Sequence, residues 1–268
     1  MMGYASFRQI KIRYSDTGHG RVLVLLHGFP ETMEIWDEFS VKLARHFRII
    51  AIDLPGHGET PPIGYQHSME LMAEAVKAVM DHLHLRRYVI VGHSMGGYVA
   101  LAFAELFHDQ VSGLCMFHST PFSDSPEKKA DRDKAIHLVK EDTRHYVNEI
   151  IPGLFAPEHR PVFKEDIREL KRIAQGISRQ GIINALHGMK DRPKRDWVLQ
   201  YADYPVLFIL GKKDTVVPFQ KVMDQTTQVK QADVLVLEDS GHMGFIEEKN
   251  RCQDALLKFA RKCFRQSP

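Results

Sequence analysis

The chain has 268 residues, of which 44% are hydrophobic and 26% charged, and its formal net charge at pH 7 is +2. This length and composition suffice for one large α/β domain with a full core, or for such a domain with an insertion. No uninterrupted run of Lys and Arg marks a nucleic-acid-binding tail, so the charge gives no reason to expect a nucleic-acid partner.

The spacing of the cysteines and the composition of the N-terminal segment indicate in which cellular compartment the protein is expected. Cys115, Cys252 and Cys263 lack the C-x-x-C spacing of a metal or redox site and the density of a disulfide scaffold, so we expect reduced thiols. Residues 1–12 lack the apolar core of a signal peptide, and the apolar run 22–26 is far too short to cross a bilayer. We therefore expect a soluble, cytoplasmic protein with no membrane partner.

Short apolar runs alternate with helical patterns along most of the chain. The opening stretch, residues 7–14, predicts an extra antiparallel strand or a hairpin. Later runs without polar alternation are typical of strands buried on both faces of a parallel sheet; they are residues 22–26, 48–53, 88–92, 114–117, 206–210 and 234–237. Helical spacing over residues 71–83 and 99–106 completes a strand–helix–strand order that predicts a doubly wound α/β domain.

The alternation stops between Thr120 and Asp196, where charge-rich helical patterns are punctuated by prolines. A structureless loop of that length is improbable in a compact domain, so we expect an inserted helical subdomain. The predicted organisation is a core of residues 1–119 and 197–268 and a helical cap, or lid, of residues 120–196.

The segment Gly92-His-Ser-Met-Gly96 is a G-x-S-x-G sequence placed between a predicted strand and a predicted helix. This is the context of a nucleophile elbow, a strained turn that exposes a serine hydroxyl. The pentapeptide alone is weak, and Ser94 could merely cap a helix. Its position between strand and helix favours a nucleophilic role.

A serine hydroxyl needs a base to take its proton and a carboxylate to orient that base. Among 15 histidines, His242 follows the last predicted strand, at the carboxyl edge where Ser94 also lies. Asp214 follows the strand 206–210 at the same edge, although it could instead start a capping turn; the rival acids Asp224, Asp233 and Asp239 fit less well. The order Ser94, Asp214, His242 is that of one large class of serine hydrolases.

Backbone N–H groups are the usual donors to the oxyanion that forms during acyl transfer. One should come from Met95, at a helix N-terminus, and the second from Phe29, in the loop after the strand 22–26. Pro30 has no N–H to donate. His27 is predicted to brace this loop rather than to act as a second base.

Five motifs together resemble the α/β-hydrolase superfamily: His27-Gly-Phe-Pro30, Asp53-Leu-Pro-Gly-His-Gly58, Gly92-His-Ser-Met-Gly-Gly97, Gly211-Lys-Lys-Asp214 and Ser240-Gly-His242. The resemblance spans almost the whole chain. It implies an α/β fold with an eight-stranded, mostly parallel sheet flanked by helices, a lid after the sixth strand, and no metal or organic cofactor. It also implies that Asp53 to Gly58 is a structural turn.

The segment 27–32 is similar to epoxide hydrolases and haloperoxidase-like members of the superfamily. Epoxide hydrolases and haloalkane dehalogenases carry an aspartate at the elbow, where this chain has Ser94. The resemblance is therefore to a serine-nucleophile member of the esterase and haloperoxidase-like branch, because an ester intermediate can form at Ser94.

Four residues are candidates for a substrate pocket, although each could equally be ordinary core: Trp36, Phe122, Phe155 and Met243. They favour a small-molecule acyl substrate with an apolar portion. The leading hypothesis is a carboxylic-ester hydrolase. Amidase, thioesterase, C–C bond hydrolase and perhydrolase activities use the same groups and stay open, as does a ligand-binding receptor on a hydrolase scaffold.

Overall fold

The computed structural model of the protein describes residues 1–266, within which eight strands form one sheet. Their bounds are β1 Met2–Phe7, β2 Ile10–Thr17, β3 Val22–Leu26, β4 Arg48–Ile52, β5 Tyr88–His93, β6 Val111–Phe117, β7 Val206–Gly211 and β8 Ala232–Leu237. Each apolar run that predicts a strand corresponds to one of these, and the opening stretch forms the hairpin of β1 and β2.

The strands lie in the order β1-β2-β4-β3-β5-β6-β7-β8 across the sheet. β2 pairs antiparallel with β1 and β4, and all other neighbours are parallel. The eight-stranded, mostly parallel α/β fold predicted from the sequence is therefore confirmed. Because β3 to β8 run the same way, the loops that follow them meet at one edge of the sheet.

Residues 1–266 contain eleven α-helices: α1 Asp37–Ala44, α2 Met69–His82, α3 Met95–Leu106, α4 Pro126–Glu141, α5 Thr143–Ile150, α6 Lys164–Gln175, α7 Arg179–Asp191, α8 Asp196–Gln200, α9 Phe219–Thr226, α10 Gly244–Glu247 and α11 Lys249–Gln266. Serine side chains cap α2, α4 and α7, where Ser68, Ser125 and Ser178 each accept a backbone N–H from the first turn. None of these helices is long and apolar enough to cross a membrane.

Helices cover both faces of the sheet. The crossover β3–α1–β4 advances in the opposite direction from β4–α2–β5 and β5–α3–β6, so right-handed crossovers place α1 on one face and α2 and α3 on the other. The C-terminal helix α11 packs beside α1 and against β6 and β8. Every residue of β3, β5, β6 and β7 is buried between these layers.

β8 departs from the prediction that the apolar runs are buried on both faces. It is the edge strand, its residues are mostly half-buried, and Val234 is 40% exposed. The run 234–237 is as apolar as the central ones, but an edge strand has a neighbour on one side alone. The prediction of full burial is wrong here for that reason.

Helices α4 to α8 all lie between β6 and β7, where residues 118–205 contain no strand. α4 packs against α5 and α7, and α5 packs against α6. The segment contacts the core through hydrogen bonds such as those from His67 N to Asn184 O (3.0 Å) and from Asn184 Nδ2 to Gly64 O (3.0 Å). Helices α4 to α7 lie within residues 120–196, and the division of the chain into a core and a cap at those bounds stays a prediction.

All three cysteine side chains are buried, and none forms a disulfide within the described residues. Burial raises the pKa of the Cys115 thiol well above its ordinary value. A thiol of that kind is a poor nucleophile, which leaves the candidate chemistry to the carboxyl edge of the sheet.

Candidate active site

Ser94 lies between the end of β5 and the start of α3 with φ +49° and ψ −113°. A positive φ costs a residue with a side chain about 1–3 kcal/mol, and strain of this kind clusters at functional sites. The backbone around it is tied to the loop after β6, because Ser94 N donates to Phe117 O (2.9 Å) and Ser119 Oγ donates to Ser94 O (2.8 Å). A Cβ at Gly92 would overlap the carbonyl of Gly96, so the tight turn requires glycine there.

Asp214 follows β7 and is held by four hydrogen bonds. Its Oδ1 accepts the backbone N–H groups of Val216 (2.8 Å) and Val217 (3.0 Å), and its Oδ2 accepts Nδ1–H of His242 (2.8 Å) and of His118 (3.2 Å). Burial acts to raise the pKa of Asp214, but the neighbouring His242 and the two imidazole hydrogen bonds outweigh it and hold the pKa well below its usual range. Asp214 is therefore a stable carboxylate.

His242 lies in the loop between β8 and α10, and its backbone is fixed on both sides. Its N–H donates to Leu154 O (2.7 Å), and Glu247 accepts the N–H groups of the flanking residues Gly241 (3.0 Å) and Met243 (3.2 Å). Since Nδ1 donates to Asp214, Nε2 is left as the nitrogen that can accept a proton. Among residues 1–266, no hydrogen bond joins Ser94 Oγ to His242; such bonds often form only when substrate is present.

The loop after β3 lies directly against the nucleophile, because a Cβ at Gly28 would stand 3.1 Å from Ser94 Cβ. Within the described chain the backbone N–H groups of Phe29 and Met95 donate to no protein acceptor. His27 braces the loop, as predicted: its Nδ1 contacts Gly28 O (2.7 Å) and its Nε2 accepts Leu54 N–H (3.0 Å). Within residues 1–266 the protein itself therefore uses neither the Phe29 nor the Met95 N–H group, and their role as oxyanion donors stays a prediction.

A buried ion pair joins this loop to the elbow. His93 Nδ1 donates to Glu31 Oε2 and His93 Nε2 donates to the carbonyl of His242, each over 3.0 Å, while Glu31 Oε2 also accepts Gly28 N–H. Burial alone would lower the pKa of His93, but the charge and hydrogen bond of Glu31 outweigh burial and raise it. His93 and Glu31 therefore connect the loops that carry Phe29, Ser94 and His242.

His118 follows β6 and is fully buried beside Asp214. His118, Asp214 and His242 offer three ligand atoms within 4.8 Å of one another, a spacing that a metal ion could use. Both imidazole nitrogens in this group are the ones that donate to Asp214 Oδ2, so two N–H···O hydrogen bonds account for the spacing.

The four candidate pocket residues have different surroundings. Trp36 is buried in a cluster of aromatic side chains. Phe155 and Met243 are buried next to the residues that hold the His242 loop. Phe122 is half-buried, with the ammonium of Lys221 4.3 Å from its ring centroid. Contact with a substrate stays a prediction for all four.

Four residues of this site were not identified from the sequence: Glu31, His93, His118 and Glu247. His93 and His118 did carry a signal, because each lies at or directly after the carboxyl end of a predicted strand. Their partners are distant in the chain: 62 residues separate Glu31 from His93, and 96 separate His118 from Asp214. Only the folded sheet brings these pairs together.

Comparison with known proteins agrees with the fold. The family model described as the alpha/beta hydrolase family matches residues 23–252. The chain is also similar to a thermophilic esterase from Thermogutta terrifontis, with 29% identity and a TM-score of 0.92 over 98% of this chain and 99% of that one.

Two curated relatives match most of the chain. It is 26% identical over 260 residues to the pimeloyl-[acyl-carrier protein] methyl ester esterase of Vibrio vulnificus, covering 94% of this chain and 98% of that one. It is 29% identical over 251 residues to the dihydrolipoyllysine-residue acetyltransferase component of the acetoin cleaving system of Pseudomonas putida, covering 91% of this chain but 64% of that relative. The chain thus spans less than two thirds of the latter protein.

These matches, together with the eight-stranded sheet, define an α/β hydrolase. The chain belongs to the α/β-hydrolase family and is an esterase-like hydrolase, which confirms the resemblance seen in its five motifs.

Proposed function

We propose that this protein is a serine esterase that cleaves a small, largely apolar carboxylic ester through an acyl-enzyme intermediate. Ser94 is the nucleophile, His242 the general base and Asp214 the carboxylate that orients it. The observation that carries the proposal is the hydrogen bond from His242 Nδ1 to Asp214 Oδ2 (2.8 Å). It lies at the same edge of the sheet as Ser94, which is held at positive φ.

Each group has a defined part in the reaction. Ser94 Oγ attacks the ester carbonyl carbon while His242 Nε2 takes its proton, and Asp214 stabilises the imidazolium that forms. The N–H groups of Phe29 and Met95 bind the oxyanion. Collapse of this intermediate expels the alcohol, which takes the proton from His242. Water then attacks the acyl-enzyme with His242 again as base, releasing the acid and restoring Ser94.

Residues 120–196 form the cap in this proposal. The segment reaches the catalytic loops, since Leu154 O accepts His242 N–H and Ala156 N–H donates to Glu247 Oε2 (3.0 Å). A helical cap on this edge would shield the acyl-enzyme and shape the pocket. Phe155 and Met243, buried beside these contacts, are the residues we expect closest to an apolar acyl chain. An ester substrate also agrees with the names of the methyl ester esterase and the thermophilic esterase.

The test is covalent labelling with a fluorophosphonate, followed by mass spectrometry of the intact protein and of its peptides. We expect one adduct, on Ser94, and none on Ser94→Ala. Ser94→Ala should lower kcat on a 4-nitrophenyl ester by about 10³-fold or more, because the oxyanion hole and binding remain but the nucleophile is gone.

Ser119→Ala is a suitable control, because Ser119 Oγ donates to Ser94 O and is therefore a neighbouring serine in a different chemical environment. It should still be labelled at Ser94. Labelling of the Ser94→Ala protein, or unchanged ester hydrolysis by it, would contradict the assignment. Binding of esters without turnover by the native chain would favour a receptor instead.

A further inference from the structure

The environment of His118 is built around its ring. His118 has φ +46°, in the left-handed region, and its backbone N–H donates to Ile209 O of β7 (2.9 Å). A Cβ at Gly244 would overlap the ring, and one at Gly211 would stand 2.9 Å from it. Glycine at 244 is therefore needed to admit this imidazole beside Asp214, whereas at Gly211 the carbonyls of Gly241 and Ser240 lie closer still.

The hydrogen bonds of His118 define one tautomer. Nδ1 faces Asp214 Oδ2 (3.2 Å), a carboxylate oxygen that can only accept, so Nδ1 carries the proton. Nε2 receives the backbone N–H of Gly244 (3.2 Å), so Nε2 carries none. Burial lowers the pKa of His118 to about 4, with the Asp214 hydrogen bond and charge opposing it in part. A neutral His118 with a proton on Nδ1 follows.

Asp214 Oδ2 therefore receives two imidazole N–H groups, one from His242 and one from His118. The mechanism proposed above uses only the first. A second donor on the same oxygen withdraws negative charge that would otherwise stabilise protonated His242. It also fixes the carboxylate against rotation, because the other oxygen is already held by Val216 and Val217 N–H.

We propose that His118 is a positioning residue for the catalytic acid: its Nδ1–H fixes Asp214 and limits how strongly Asp214 stabilises protonated His242. The inference rests on the proposed triad. Its consequence is that removing the Nδ1–H of His118 should strengthen the hydrogen bond and charge that Asp214 offers to protonated His242.

Other charged or titratable groups around His118, Asp214 and His242 have partners of their own. His93 of β5 lies with its ring centroid 5.0 Å from that of His242 and 6.1 Å from that of His118, and it is compensated by Glu31. Glu247 of α10 is occupied by backbone N–H groups and by His159. Lys213, in the Asp214 loop, pairs with the surface acids Glu158 and Asp239. His118 is thus an uncharged hydrogen-bond donor to the carboxylate of Asp214.

Two substitutions separate the donor from the acceptor of His118. His118→Phe keeps a ring and removes both nitrogens. His118→Asn keeps an N–H donor close to the Nδ1 position, and asparagine tolerates positive φ. His67→Phe is the matched control, since His67 is another buried histidine whose pKa burial lowers to about 4, and it contacts Ile63 N–H and Asn184 rather than the triad.

The primary measurement is the titration of His242 by NMR of ¹⁵N-labelled imidazoles. In His118→Phe we expect the midpoint for His242 to move to higher pH by at least about 0.5 unit, because Asp214 has lost a competing donor. His118→Asn should restore much of the native midpoint, and His67→Phe should leave it unchanged. In the native protein, His118 should stay neutral with its proton on Nδ1 from about pH 5 to 9.

Kinetics give the second readout. With 4-nitrophenyl butyrate as substrate, the acidic limb of the plot of kcat/KM against pH should move with the NMR midpoint. At its pH optimum, His118→Phe should show a kcat about tenfold lower, equivalent to about 1.4 kcal/mol, and a KM that is nearly unchanged. An unchanged or lower midpoint in His118→Phe, or a native His118 that titrates or carries its proton on Nε2, overturns the inference. Failure of the native protein to hydrolyse esters or label at Ser94 contradicts the proposed function instead, and the NMR titration is readable in either case.

Discussion

Two buried histidines lie beside the loop of His242, and the structure gives them different protonation states: His93 is a cation and His118 is neutral. His93 and His118 are both almost inaccessible to water. Both nitrogens of His93 face acceptors, Glu31 Oε2 and the carbonyl of His242, so both carry protons. His118 faces one acceptor and one donor, Gly244 N–H, so it carries a single proton.

Burial is the same in the two cases, so burial does not decide the charge. The partner of the second nitrogen does, because a ring nitrogen that receives an N–H cannot also hold a proton. The nucleophile side of the site is consequently held by an ion pair, and the acid side by a neutral donor. Single substitutions should therefore affect the two sides differently.

The largest loss of activity is expected at Asp214, the carboxylate that accepts a hydrogen bond from both His242 and His118. Asp214→Asn offers an amide that can donate to His242 Nδ1 and so favours the wrong tautomer of the base. We expect kcat to fall by about 10⁴-fold with the fold intact, as measured by ester hydrolysis and circular dichroism. Asp239→Asn is the control, because Asp239 pairs with Lys213 on the surface. Equal losses in the two variants would contradict the role of Asp214.

On the nucleophile side, Glu31→Gln leaves His93 without its counter-charge and His93→Gln leaves Glu31 buried and unpaired. Each should lower the free energy of unfolding by about 3–5 kcal/mol, and the double variant should lose less than the sum. Urea denaturation of the four proteins measures the coupling. Additive losses would mean that His93 and Glu31 do not form an ion pair.

The same pair should make stability depend on pH. The pKa of Glu31 is lowered from its ordinary 4.5 because the His93 charge outweighs burial, so its contribution is present above about pH 4.5 and is lost as pH falls through the folded value. The pKa of His93 is raised from 6.5, so its contribution is complete below about pH 6.5 and is lost as pH rises through the folded value.

The difference in unfolding free energy between the native protein and the Glu31→Gln/His93→Gln variant should therefore be greatest between about pH 4.5 and 6.5 and should decline above it. Urea denaturation at about pH 5.5, 7 and 8.5 provides the comparison. A difference that grows over this range would show that His93 is neutral, like His118, and would remove the contrast between the two sides.

The smallest effect is expected at Glu247, which holds the His242 loop through backbone groups. Glu247→Gln keeps one acceptor oxygen, so about half of the four hydrogen bonds that the carboxylate accepts are lost. We expect a loss of about 1–3 kcal/mol in unfolding free energy and a several-fold decrease in kcat. Thermal denaturation and ester kinetics measure both. A decrease in kcat as large as that of Asp214→Asn would mean that Glu247 has a more direct part in the reaction.

The sequence by itself determined the strands, the helical region between β6 and β7, and the candidates Ser94, Asp214 and His242. Those features depend on local patterns: apolar runs make strands, and the loops after parallel strands meet at one edge whatever the details of packing. The edge position of β8 and its exposure were not predictable, because the run 234–237 is as apolar as the buried strands.

Only the tertiary structure decided which groups surround the catalytic residues and with what charge. The pairs Glu31–His93 and His118–Asp214 join separate loops, and no spacing in the chain indicates either of them. Protonation depends on which atom stands about 3 Å from each nitrogen, and that is a property of the folded loops rather than of residue type.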